Sequence, residues 1–457
     1  MISTKKVLII GGGFSGMMIA VNLLMEDTNV LITIVNDTYK PALGAAYSTK
    51  NNVHLLNVPA GKMSAFANKP SDFIDWLKSK KEYAYLLTDT IENEFIPRTI
   101  YGTYLAEIVE KYKSHPKINW INGTACDIKI TNQGYDVVLK NNDTYSGDFL
   151  ILASGNILPS NPPIKNESFY SSKNYFRNPW NDSFLYKMNR NKPVLIIGTG
   201  LTMIDCVLSL KSIQFKEKIY AISPRGYIPK PHSKAEVYPD FYAEIKDQSL
   251  LVILKAVRKH IKIAEDTGIP WQSVIDSLRP YVQNIWKSFT DKEKQQFISH
   301  VRHIWGVARH RLPQHIHSEI EDLIKTGQLE IIGGRINNII ETIENELDVE
   351  VLLRKQKSYK TIKASCAINC TGPQTNYETI ENELYKNLIR KKIILPDTNR
   401  LGIKATISYE VLKSENTVHK NMYAIGSLLR GVLWETTAVP ELKQQAYCIA
   451  QQIKSAN

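Results

Sequence analysis

Lys5-Lys6-Val7-Leu8-Ile9-Ile10-Gly11-Gly12-Gly13-Phe14-Ser15-Gly16-Met17-Met18-Ile19-Ala20-Val21-Asn22-Leu23-Leu24 is the stretch on which the fold turns. An apolar run of strand length enters a Gly-x-Gly-x-x-Gly loop, and an apolar helical pattern leaves it. Gly11 permits the tight turn, Gly13 lets the main chain approach a pyrophosphate, and Gly16 lets helix and strand pack closely. The helix N-terminus adds free N–H groups and the positive end of its dipole, with Phe14 and Ser15 in the same loop. Val30 to Val35 reads as the next strand, ending where an acidic residue normally grips an adenosine ribose. Asn36 and Asp37 stand there instead: Asn36 can hydrogen-bond a hydroxyl, and Asp37 can reach one. A dinucleotide site this early in a long chain favours FAD over NAD.

The pattern recurs. Lys192-Pro193-Val194-Leu195-Ile196-Ile197 leads into Gly198-Thr199-Gly200-Leu201-Thr202-Met203 and a helical stretch through Leu210. Met203 replaces the third glycine, which only sets the helix–strand distance. The following strand, Lys218 to Ile222, ends in Ser223-Pro224-Arg225-Gly226 with no acid. An acid would select the 2′-hydroxyl of NAD, whereas Ser223 and Arg225 suit a 2′-phosphate, which favours NADPH.

Two dinucleotide units, the second nested in the first, predict an α/β fold with two Rossmann-like domains. Phe149 to Leu152 reads as a strand running into Ala153-Ser154-Gly155, and Cys366 to Thr371 repeats that plan before Gly372. Residues 1–190 and 363–457 are expected to form the FAD domain. Residues 191–234 and 321–362 should form the NAD(P) domain, and 235–320, rich in helical periodicity, a helical insertion. Its tail, Trp305-Gly306-Val307-Ala308-Arg309-His310-Arg311-Leu312-Pro313, is dense in Arg and His. That tail suits either an anionic ligand or salt bridges between helices.

The 457 residues suffice for several cores, and 43% hydrophobic with 22% charged residues is a globular composition that excludes disorder, collagen and coiled coil. The net charge of +12 is spread over short clusters such as Lys78-Ser79-Lys80-Lys81, which reads as a solvated surface and not a nucleic-acid footprint. Five scattered cysteines fit a reducing cytosol. The uncharged run from Val7 to Met25 imitates a signal or a membrane span, but its four glycines belong to the loop, and no other apolar segment is long enough to span a bilayer.

Taken together with Gly44-Ala45-Ala46-Tyr47, His54-Leu55-Leu56-Asn57-Val58-Pro59-Ala60, Phe95-Ile96-Pro97-Arg98, Tyr101-Gly102, Tyr104-Leu105, Tyr423-Ala424-Ile425-Gly426-Ser427 and Trp434 to Leu442, these motifs resemble one family. The chain is similar to bacterial FAD/NAD(P)-binding flavoproteins related to class B flavin monooxygenases and amino N-hydroxylases. That resemblance implies FAD and NADPH as cofactors, with the Gly426 turn beside the ribityl side of FAD. An Asp commonly follows that glycine in the family, and Ser427 stands here. It also implies a helix starting near Thr437, with Thr437 as cap and Pro440 in its first turn, whose N-terminus points at the flavin.

The resemblance further implies a monooxygenase acting through a flavin C4a-hydroperoxide on O2 and a small amine-like substrate. His54, Asn57, Arg98, Tyr101 and Glu435 lie in stretches it brings to the flavin. No Cys-x-x-Cys, His-Glu-x-x-His or Gly-x-Ser-x-Gly suggests a disulfide reductase, a metal site or a hydrolase. A flavin reductase or dehydrogenase with an organic acceptor remains open, as does a non-catalytic FAD/NAD(P)-binding regulator. The sequence leaves the oligomeric state undetermined.

Overall fold

The computed structural model describes residues 4–25, 29–37, 42–233 and 236–456. The chain divides into two compact units, residues 1–157 with 374–457 and residues 158–373.

In the first unit the buried apolar runs assemble into a six-stranded sheet. Its order is Glu410–Ser414, Thr417–Ala424, Phe149–Leu152, Lys5–Ile10, Val30–Asn36 and Ile118–Asn122. The pairs are parallel except Glu410–Ser414 with Thr417–Ala424. Parallel strands bury both faces, which is why Val7, Leu8, Ile9 and Ile10 form an unbroken apolar run. One face packs beneath the helix Phe14–Met25, through Met17, Ala20 and Val21, and the helix Val439–Ser455, through Ala446, Ile449 and Ile453. The other face meets Tyr377, Tyr385 and a three-stranded antiparallel sheet of Ala125–Ile130, Tyr135–Leu139 and Thr144–Gly147.

The second unit holds a seven-stranded sheet. Its order is Tyr359–Ala364, Leu347–Leu353, Leu329–Glu341, Ile219–Ser223, Val194–Ile197, Ala367–Asn369 and Tyr175–Phe176. The last five strands run parallel and the first three form an antiparallel meander. Helices from Tyr242–Ile245 to Gln314–Lys325 lie between the strands Ile219–Ser223 and Leu329–Glu341.

Both chain crossings differ from the expected boundaries at 190 and 363. Residues 158–190 belong to the second unit because Tyr175–Phe176 pairs with Ala367 and Ile368, and the Asn369 amide donates to the Ser160 carbonyl at 3.0 Å and the Tyr175 hydroxyl at 2.8 Å. Residues 363–373 stay there because Ala367–Asn369 lies between Val194–Ile197 and Tyr175–Phe176. The expected boundary at 234–235 lies outside the described residues. Among those described, no helix is long and apolar enough to cross a membrane.

Candidate cofactor site

In the first unit, Gly11 turns the chain at φ +107°, and a β-carbon there would lie 2.3 Å from the Ala153 carbonyl oxygen. At Gly16 it would meet the Gly11 carbonyl oxygen at 2.0 Å. Only glycine fits either position, so the loop lies flat between the ends of Lys5–Ile10 and Phe149–Leu152. At Gly13 the nearest atom, Gly44 Cα, is 3.6 Å away, which leaves the main chain accessible beside the start of the helix at Phe14. Phe14 itself is buried.

Asn36 has a use the sequence does not reveal. Its Oδ1 accepts the Gly12 N–H at 3.0 Å, so this side chain pins the glycine loop. Asp37 follows it, exposed. Trp120 from the neighbouring strand completes the wall, its ring 3.3 Å from a β-carbon at Gly12, with its indole N–H buried and unpartnered.

The C-terminal segment closes over this loop. Gly426 takes φ +74°, and a β-carbon on it would be 4.0 Å from Ser15 Oγ. The Gly426 N–H donates to Gln445 Oε1 at 3.0 Å, Gln445 donates to Thr436 Oγ1 at 2.6 Å, and Thr436 donates to the Gly426 carbonyl at 3.3 Å. Ser427 Oγ donates to the Gly155 carbonyl at 2.6 Å, and Ser154 Oγ bonds to Tyr385. Gly11, Gly13, Ser15, Gly16, Ser154, Gly155, Gly426 and Ser427 all lie in this first unit. Thr437 does not act as the cap: the helix Val439–Ser455 is preceded by Ala438, with no side-chain cap bond and Pro440 in its first turn. Thr437 is exposed, and the buried threonine is Thr436.

His54, Arg98 and Tyr101 sit close together. Leu55 bridges Pro97, the Arg98 N–H donates to the His54 carbonyl at 2.8 Å, and Arg98 Nε donates to the Leu55 carbonyl at 2.9 Å. His54 Nδ1 bonds Thr49 Oγ1 at 2.9 Å. Tyr101 is wholly buried, its hydroxyl without a partner, and burial pushes its pKa well above the ordinary value. Asn57 is exposed, and Glu435 is half-buried in the loop before Val439–Ser455.

The second unit repeats the loop geometry. Gly198 takes φ +114° with a β-carbon position 2.4 Å from the Cys370 carbonyl oxygen, while Gly200 faces open space before the helix Leu201–Ser212. Leu201 and Thr202 are half-buried in its first turn, and Gly372 is also open. Cys370 lies against Cys206, Sγ to Sγ 3.4 Å, both buried. Ser223 is occupied within its own loop, bonding Thr199 Oγ1 at 2.8 Å and accepting the Gly226 N–H at 3.0 Å.

Arg225 reaches the carbonyls of Ser299 and His300 at 3.1 and 3.2 Å, at the π-helical turn Phe297–Val301. Around it gather groups the sequence reading did not single out. Burial and Arg225 lower the Arg302 pKa. Burial, then Arg302, Arg225 and Arg354, hold His303 down to about 4. Among the described residues no carboxylate bonds Arg302, His303 or Arg354. In the expected Arg- and His-rich tail, Arg311 is buried and paired with Asp276, which ties the segment between Arg302–Arg309 and Gln314–Lys325 to the helix Trp271–Ser277. The π turn is invisible to a 3.6-residue period, and only folding brings Arg354 near Arg225.

Residues 8–157 match a family model described as FAD-NAD(P)-binding. The tight turns at Gly11 and Gly16, the accessible main chain at Gly13 and the unpartnered Trp120 indole fit such a group. The chain is 23% identical over 222 residues to the uncharacterized protein YdhS of Escherichia coli (strain K12), covering 45% of this chain but 39% of YdhS. Its fold is similar to reduced ornithine hydroxylase (PvdA) of Pseudomonas aeruginosa, at TM-score 0.69 and 11% identity over 99% of each chain. It is also similar to thioredoxin reductase of T. acidophilum, at TM-score 0.54 and 13% identity, over 99% and 98% of the two chains.

Proposed function

We propose that the protein is an FAD-dependent oxidoreductase using NADPH, and a monooxygenase of a small amine-like nucleophile. The observation that carries the reading is the duplicated loop: Gly11 under the Ala153 carbonyl in one unit, Gly198 under the Cys370 carbonyl in the other. Two dinucleotide sites in one chain suit electron passage from a nicotinamide to a flavin. Bound FAD would supply the redox chemistry, and the protein would bind, orient and exclude water.

Several residues take definite roles in this reading. Gly11, Gly13, Gly16 and the helix start at Phe14 hold the FAD pyrophosphate, while Gln445 and Thr436 keep the Gly426 turn open beside it. Gly198, Gly200 and the N-terminus of Leu201–Ser212 hold the nicotinamide pyrophosphate. Arg225, Arg302 and Arg354, with the neutral His303 among them, are a cationic cluster after Ile219–Ser223, suited to a 2′-phosphate dianion. Arg98 and His54 brace the 54–57 segment, and Glu435 offers a carboxylate for a substrate ammonium.

A second reading, a reductase that passes electrons to an organic acceptor, draws support from the fold shared with thioredoxin reductase. In the regulator reading, Asn36 and Ser427 replace the acids usual at their positions, although each makes a structural bond here. The deciding experiment adds NADPH or NADH separately under argon to protein carrying flavin absorbance, then readmits air with candidate amines. Bleaching by NADPH and an oxygenated amine support the monooxygenase. Anaerobic dye turnover without oxygenated product supports the reductase, and bound flavin that never bleaches supports the regulator.

A further inference from the structure

Tyrosines and a tryptophan of the first unit stand in an unbroken file. Ring centroids are 4.8 Å apart for Tyr47 and Tyr101, 5.5 Å for Tyr101 and Tyr104, 5.4 Å for Tyr104 and Trp76, and 5.5 Å for Trp76 and Tyr83. The file starts at the dinucleotide loop, where Phe14 lies 6.5 Å from Tyr47 and the short helix Gly44–Tyr47 packs beside Gly13. It passes through Tyr101 and Tyr104, at most 1% exposed, and surfaces at the half-buried Trp76 and Tyr83.

Packing accounts for the rings and not for their polar ends. Phenylalanine fills a core equally well and leaves no hydroxyl to satisfy, yet Tyr101 buries one with no partner. The next two members are bonded in a way that phenylalanine would forbid. Tyr104 O–H donates to Asp72 Oδ2 at 2.6 Å, and the Trp76 indole N–H donates to Glu107 Oε2 at 2.8 Å. A phenol or indole that loses an electron becomes a strong acid, and a carboxylate already hydrogen-bonded to it receives the proton without separating charge across a low-dielectric core. Simple deprotonation is disfavoured, because burial raises Tyr47 to about 12 and raises Tyr104 further.

We propose that Tyr47, Tyr101, Tyr104 and Trp76 conduct single oxidising equivalents from the flavin site to the surface at Tyr83. The inference rests on FAD occupying the first unit. The oxidant is light-excited oxidised flavin, strong enough to take an electron from a phenol that keeps its proton. It gains one electron from the near end of the file, where Tyr47 and Tyr101 pass the charge with their hydroxyl protons retained, and each ring is refilled by the next. The Tyr104 proton shifts to Asp72 and returns when the ring is refilled, and the Trp76 proton shifts likewise to Glu107. The final electron comes from an external reductant such as ascorbate, so one electron enters the flavin for each one the reductant loses.

The test is a blue flash under argon on flavin-loaded protein with ascorbate, following tryptophanyl-radical absorbance and flavin reduction. Native protein should show a tryptophanyl radical that decays faster as ascorbate is raised. Tyr101→Phe removes a hydroxyl that bonds to nothing, so it should keep the fold and the flavin while the radical yield falls several-fold. Trp76→Phe should abolish the radical, and Trp180→Phe, in the second unit, should leave it. Unchanged radical in Tyr101→Phe or Trp76→Phe, a signal that vanishes with Trp180, or no radical in native protein with flavin bound would each overturn the proposal. Purified protein that takes up no flavin would overturn the cofactor reading first, and the conduit with it.

Discussion

The Ala153 carbonyl oxygen occupies the place a side chain on Gly11 would need, 2.3 Å from the β-carbon position. Because φ is also +107° there, Gly11→Ala meets both backbone strain and a main-chain clash that no rotamer relieves. Strain alone costs about 1–3 kcal/mol. The expected outcome is a lowered thermal midpoint and protein purified without flavin. Gly200→Ala is the control, with φ −87° and open space around it, and should fold normally while weakening NADPH binding. Calorimetry and flavin-to-protein absorbance ratios decide both.

Arg302 is expected to act on the phosphate and not on the ring of the nicotinamide cofactor. Losing one charge-assisted contact costs about 1.5–3 kcal/mol, so Arg302→Ala should raise KM for NADPH by roughly ten- to a hundredfold. KM for NADH should stay within about twofold, since NADH carries no 2′-phosphate. Steady-state reduction of an artificial acceptor separates the two.

Acid should loosen the second unit by a defined route. His303 and His232 are held at about 4 by burial and by neighbouring arginines, below the ordinary 6.5. Between these values the unfolded chain binds the protons that the folded chain refuses, so stability rises with pH and is lost as pH falls from about 6.5 toward 4. Thermal midpoints measured across that window should fall for the native protein and fall less for His303→Gln.

Tyr101 and Tyr104 neighbour each other yet should respond differently to the same change. Tyr101→Phe removes an unpartnered hydroxyl and should be neutral or slightly stabilising. Tyr104→Phe strands Asp72 and the Ala65 N–H and should cost about 1–3 kcal/mol in chemical denaturation.

Gln445 is 2% exposed and satisfies both Gly426 and Thr436. Gln445→Leu keeps the bulk and deletes the network, leaving the Gly426 N–H buried without a partner. A loss of about 1–3 kcal/mol and weaker flavin retention are expected, read by denaturation and by flavin release on dilution.

Which features the sequence disclosed follows from how locally each is determined. Gly11, Gly16 and Gly198 were legible because sterics within a strand, a loop and a helix demand glycine, whatever surrounds them. The bond from the Gly12 N–H to Asn36 was not legible because it is set by how two strands lie side by side. Thr437 was taken for a cap in place of the buried Thr436 because helix starts shift by a residue or two with the tertiary contacts. The boundary at 190 failed because Tyr175–Phe176 is a two-residue strand, too short to leave a period. Arg302 and His303 meet Arg354 only through folding, and in sequence they look like ordinary surface residues of a basic chain.

The split of the first unit around the second sets an order of events on the ribosome. Lys5–Ile10, Val30–Asn36, Ile118–Asn122 and Phe149–Leu152 emerge first, leaving one edge of Phe149–Leu152 unpaired until Thr417–Ala424 arrives to cover it. Residues 158–373 are complete long before that and can fold in the interval. The nascent chain therefore carries a bare sheet edge and a half-made flavin cradle through the synthesis of an entire second unit. That edge is the natural point for chaperone engagement, and flavin scarcity would be felt at the final closing of Gly426 over Ser15.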